Sequence, residues 1–192
     1  DGSTIQQLAE LKFDDEDARM IDIEQVASDV YVLAYTGRSN DGFITTIKVS
    51  ADGKTITQPK KIEHDTANAA GSRLIKVDSD TYALYYYSDG TYVKTFDIPA
   101  DGSTITEVAK VKSPNSINIG TVYMGDFIKS DQGFYIAAST YGNNTYVTTW
   151  TISDDGKTIA QKKYHSISNF KDGVSIVQLD SDTYVFAATG YG

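Results

Sequence analysis

The densest set of potential metal ligands in the chain is the run Asp14-Asp15-Glu16-Asp17. Carboxylate oxygens of this kind are what Ca²⁺ takes. The spacing is not that of a calcium loop, because no Asp-x-Asp-x-Asp-Gly run with a distal Glu stands here. The segment therefore reads as a solvated acidic loop, with Asp14, Asp15 and Asp17 as calcium candidates on composition alone. His64 and His165 fall in different parts of the chain, and neither has a second ligand at metal-binding spacing. The sequence holds no cysteine, which excludes thiolate metal sites, disulfides and a cysteine nucleophile. No Gly-x-Ser-x-Gly, His-Glu-x-x-His or phosphate-loop pattern is present. The expectation is a protein that is not an enzyme, with no catalytic residue and no cofactor beyond calcium.

Charge narrows the partners. The 192 residues carry a formal net charge of −9. Phosphate backbones need a cationic surface, so nucleic acid is not an expected partner, and neither is an anionic membrane surface. No apolar run approaches the ~18 residues of a membrane helix, so membrane insertion is not expected. The chain opens at Asp1, not Met, and reads as a processed or excised segment. Hydrophobic residues make up 40% of it, enough for a packed core.

The elements that would position any site come from a repeat. Asp-Gly-Ser/Lys-Thr-Ile opens at Asp1, Asp52, Asp101 and Asp155, at intervals of 51, 49 and 54 residues. Ser-Asp-Val/Thr-Tyr ends at Tyr31, Tyr82 and Tyr184, with a divergent copy ending at Tyr135. A third landmark covers 44–50, 93–99 and 147–153. The units are 1–51, 52–100, 101–154 and an incomplete 155–192, together one repeat domain. In the second unit the pattern predicts strands over about 72–78, 82–87, 91–98 and 104–112, joined by short polar turns. The Asp-Gly pairs at 52–53, 101–102 and 155–156 suit tight turns needing positive φ. Tyr82-Ala-Leu-Tyr-Tyr86 and its counterparts are apolar on both faces, so each sheet must be covered on both. Ile47, Phe96 and Trp150 share one position and are expected to pack between sheets. Glu10, Lys12, Lys60, Lys61, Lys110 and Lys112 mark a charged outer strand.

This unit resembles a blade of a β-propeller, four antiparallel strands running outward from a central channel. Its length lies near that of kelch and WD-type repeats, but neither the Gly-Gly nor the Trp-Asp signature occurs. The resemblance covers the whole chain. It implies an all-β fold of about four blades, three complete and one assembled from terminal strands, and it carries over no catalytic residue. The terminal pieces supply first, second and fourth strands but no third. The expected assembly is therefore a larger ring, completed by flanking blades or by a homo-oligomer.

Along such a meander the two short turns share one end of the sheets and the two variable connections share the other. Function concentrates on variable loops held by a rigid scaffold. The candidate ligand residues there are Arg38, Asn40, Asp41, Asn68, Tyr141, Asn143, Asn144 and Tyr191, with Arg73, Asn118 and Lys171 near the channel. Tyr141 and Tyr191 beside Asn143 and Asn144 would stack on a sugar ring. The function expected is a non-enzymatic binding or scaffold module for a protein or glycan, at an extracellular, cell or virion surface. A virion or appendage component is the alternative, and a hydrolase using the channel is the third reading.

Overall fold

The structure, a computed structural model, describes residues 3–115, 123–168 and 170–190. It is all-β. The first sheet is β1 (Arg19–Ala27), β2 (Val30–Thr36), β3 (Gly42–Val49) and β4 (Ile56–Asp65). The second is β5 (Ala70–Lys76), β6 (Thr81–Tyr87), β7 (Thr91–Asp97) and β8 (Thr106–Lys112). The third is β9 (Tyr123–Lys129), β10 (Tyr135–Tyr141), β11 (Asn144–Ile152) and β12 (Ile159–Ser168). The fourth holds β13 (Phe170–Gln178) and β14 (Tyr184–Gly190). Every sheet is an antiparallel meander in chain order. The observed strands of the second sheet match the expected ones within about two residues. Its first strand starts early, at Ala70, because Ala70 still pairs with Tyr87 across a bulge before Arg73 pairs with Tyr85.

The first strands lie beside one another in succession, β1 on β5, β5 on β9 and β9 on β13. The sheets thus stack as propeller-like blades. Among the described residues β1 and β13 make no comparable contact, so the stack is an open arc. Among them, too, no helix is long and apolar enough to cross a membrane.

The core lies between sheets. Val32, Ala34 and Ile44 of the first meet Leu74, Tyr82, Leu84 and Phe96 of the second. Tyr85 and Val93 meet Phe127, Tyr135 and Trp150 of the third. Ile136 and Ala138 meet Val174 and Ile176 of the fourth. Tyr82-Ala-Leu-Tyr-Tyr86 is buried throughout because its odd and even residues face opposite neighbours. Phe96 and Trp150 are fully buried at this inter-sheet position. Burying one such side chain contributes roughly 1.5–3 kcal/mol.

Polar stitches add register. Asp22 Oδ2 accepts the Leu74 N–H at 2.7 Å, and one sheet pair later but one Asp126 Oδ2 accepts the Ile176 N–H at 2.7 Å. The Asp-Gly turns also dock on a neighbour. Gly102 has φ +67, and a Cβ there would meet Val30 Cγ1 at 2.8 Å. Its carbonyl accepts from Thr46 Oγ1 at 2.7 Å, as that of Gly156 accepts from Thr95 Oγ1 at 2.8 Å.

The outer strand expected around Glu10 and Lys12 does not form, as residues 3–13 make no strand. A fourth strand gains its ladder from a third, and the described chain has no third strand for it. The segment is held instead by contacts with the first sheet. Gln58 Nε2 donates to Phe13 O at 3.0 Å, and the Phe13 ring meets Tyr35 edge-on at 5.2 Å.

Candidate functional site

Strand register places both variable connections at one end of the sheets. Arg19 pairs with Thr36, Thr36 with Gly42 and Gly42 with Asp65. At this end the first two sheets carry the same grip. Tyr35 of β2 stacks on Phe43 of β3 at 5.6 Å, and Lys61 Nζ of β4 lies 4.8 Å from the Phe43 centroid. Asp14, on the preceding segment, accepts from Tyr35 OH at 2.7 Å and from Lys61 Nζ at 2.5 Å. In the second sheet Tyr86 stacks on Tyr92 at 5.5 Å, and Lys110 Nζ lies 4.4 Å from the Tyr92 centroid. Asp65 accepts from Tyr86 OH at 2.7 Å and Lys110 Nζ at 2.9 Å.

Each grip fastens one blade to the end of the previous outer segment. Burial works to raise the Asp14 carboxyl, but hydrogen bonds from Lys61 and Tyr35 outweigh it and hold the group at about 2. The Asp65 carboxyl is likewise held low, the bonds from Tyr86 and Lys110 overcoming desolvation. Burial and the adjacent carboxylates push both phenols upward. A phenol facing a carboxylate donates its proton and stays neutral, so these groups lock structure and offer no nucleophile.

The third sheet departs from this pattern. Register puts Ser139 opposite Tyr146, as Tyr86 is opposite Tyr92. It puts Tyr164 opposite Thr148, as Lys110 is opposite Lys94. The tyrosine of the grip has become Ser139 and its lysine Tyr164. Tyr146 and Tyr164 stack at 5.8 Å with planes 26° apart, and Tyr164 remains exposed. In place of the carboxylate, Ser113 Oγ donates to Gln161 Oε1 at 2.6 Å, and Gln161 Nε2 donates to Asn115 Oδ1 at 2.9 Å. Tyr85 OH reaches across to Ser139 Oγ at 3.3 Å. The missing bulk leaves a slot of about 20 Å³, lined also by Tyr141, Tyr146 and Thr148, which is room for about one water. Hydroxyls, amides and an aromatic face converge there without a formal charge.

Of the candidate residues in this loop, Tyr141 lines the slot. Tyr141 is half-buried at the end of β10 and is not the exposed platform its sequence position implied. It packs against the core between the second and third sheets. Asn143 is exposed in the two-residue turn after it, and Asn144 is half-buried at the head of β11.

The other candidates lie apart. Arg38 and Asp41 line a cleft of about 530 Å³ with Asp14, Asp15, Glu16 and Lys61. Each of its cations is already paired, Arg38 to Glu16 at 2.7 Å, Lys12 to Asp15 at 3.3 Å and Lys61 to Asp14 at 2.5 Å. Asn40 Oδ1 accepts from Arg19 at 2.8 Å, and Asp17 pairs with the same arginine at 2.9 Å. Each calcium candidate thus faces a cation. Among the described residues no three His, Cys, Asp or Glu side chains gather as metal ligands would. Asn68 is exposed in the loop before β5, at φ 50. Arg73 donates to Ser72 O at 2.8 Å and to Met124 O at 3.0 Å, which makes it a stitch between sheets. Lys171 lies on β13. Asn118 and Tyr191 fall outside the described residues.

Sequence reasoning missed Tyr164, Asn115, Gln161 and both grips. The usable signal was internal, since Asp14/Asp65, Tyr35/Tyr86 and Lys61/Lys110 recur at matching offsets while the third copy breaks the set.

No protein-family model matches the sequence, and no curated protein does. Among solved structures the chain is similar to the periplasmic gluconolactonase PpgL of Pseudomonas aeruginosa. The identity is 10% and the TM-score 0.46, over 84% of this chain and 62% of that one. The chain therefore spans less than two thirds of that protein's length, and a likeness of this size carries no functional argument.

Proposed function

We propose that the chain is a non-enzymatic binding module built of β-propeller blades, acting outside the cell, with a glycan taken at the loop end of the third sheet. One observation supports this reading: the third sheet replaces a charged grip with an uncharged polar slot beside an exposed tyrosine face. A pyranose has an apolar C–H face and a rim of hydroxyls. The free face of Tyr164 suits the first, and the amides of Asn115 and Gln161 suit the second. The slot admits about one water, so the sugar would lie across its mouth.

The test is a glycan array followed by calorimetric titration of any hit, with Tyr164→Ala and Asn115→Ala alongside the parent. Loss of the stacking face is expected to weaken binding about tenfold, some 1.4 kcal/mol, without moving the melting temperature. An array without hits, or a hit indifferent to both substitutions, would remove the glycan reading.

A further inference from the structure

The two ends of the arc carry the two halves of an interface that the molecule already forms three times inside itself. On the leading side, the position of Ile23 is held in the next three sheets by Leu74, Phe127 and Ile176. Those three are 5%, 6% and 6% exposed, whereas Ile23 is 53% exposed. On the trailing side, the position of Leu179 is held earlier by Val26 and Val77, each 5% exposed, whereas Leu179 is 68% exposed. Val177 and Val185 stand open on the same trailing face. The first two junctions press a residue of the first kind against one of the second, Leu74 against Val26 and Phe127 against Val77, and the third sets Ile176 against Ile136 and Ala138.

The repetition of this junction names the partner. The open trailing face of the fourth sheet and the open leading face of the first are the two halves of the contact that joins each sheet to the next. Met20 takes no part in it, since its Sδ accepts the Gly71 N–H of the second sheet at 3.2 Å.

We infer that the trailing face of the fourth sheet binds the leading face of the first sheet of a second copy of this chain. Ile23 of that copy seats against Val177, Leu179 and Val185. The contact is head-to-tail, so it either closes a ring of arcs or extends into a filament. It is independent of ligand binding at the third sheet.

The experiment measures solution mass by sedimentation equilibrium for the full 192-residue chain, for Ile23→Asp, for Leu179→Asp and for their equimolar mixture. Both substitutions fall on exposed side chains, and Val177→Asp serves as a second trailing-face variant. The parent is expected to associate with rising concentration, and each variant alone to remain monomeric. The mixture is expected to stop at a dimer, because each variant keeps one working end. A monomeric parent at every concentration overturns the inference. So does self-association of either variant alone, which would mark a symmetric contact, or a mixture that stays monomeric.

Discussion

His64 should make this protein acid-sensitive well above the pH at which its carboxylates titrate. The ring is buried at 7% exposure, edge-on to Tyr86 at 5.0 Å and Phe96 at 6.1 Å. Neither nitrogen meets a hydrogen-bond partner among the described residues. Desolvation, reinforced by the buried Lys94 ammonium, depresses its pKa from 6.5 to about 3. Lys94 Nζ in turn donates to His64 O at 2.5 Å and to Glu107 at 2.9 Å, so a second charge beside it is resisted. Lys110 opposes protonation further, and Asp65 only partly offsets it. The unfolded chain therefore binds a proton that the folded chain refuses. Stability is complete above the unfolded pKa of 6.5 and falls as pH drops toward the folded value. Linkage gives a loss of about 2 kcal/mol between pH 7 and pH 5, rising to about 4–5 kcal/mol near pH 3.

Asp14 is held at about 2 and Asp65 also low, so their contributions are lost only as pH falls below the unfolded value of 3.8, outside the interval from pH 7 to pH 5. Urea unfolding at pH 7 and pH 5 should show the drop in the parent. It should nearly vanish in His64→Leu, which titrates nothing and leaves no orphaned nitrogen. Equal drops in parent and variant would refute the reasoning.

The grips and the turns give two further expectations. Asp65→Ala strands the buried Tyr86 phenol and the Lys110 ammonium, and should cost about 2–4 kcal/mol in chemical unfolding. Asp14→Ala removes the same bonds from the N-terminal segment only and should cost less, so a larger effect from Asp14 would be evidence against this assignment. Gly102→Ala puts a Cβ both at positive φ and against Val30, and should cost about 1–3 kcal/mol. Gly133→Ala has positive φ without a neighbour and serves as the milder control in the same thermal melts.

Much of the architecture was legible because its causes are local. Strand period, Asp-Gly turns and the two-sided apolarity of Tyr82–Tyr86 lie within a few residues of one another. Recurrence every fifty residues or so then implied like sheets that cover each other. The absent third strand could be read by lining up the units, and it accounts for residues 3–13, which stay unpaired for want of a ladder partner. What the sequence did not disclose are contacts between residues one repeat apart. Arg73 looked like a channel ligand, yet backbone carbonyls of its own and the next sheet claim its guanidinium. His64 drew notice only as a metal ligand without a partner and Lys94 drew none, yet stacking of the sheets buries both. Tyr141 looked like an exposed platform, and the neighbouring sheet half covers it. A linear pattern states which side of a strand a residue takes. Only the packing of one sheet on the next decides whether that side meets water, and so which tyrosines grip, which stack, and where the third sheet opens a slot.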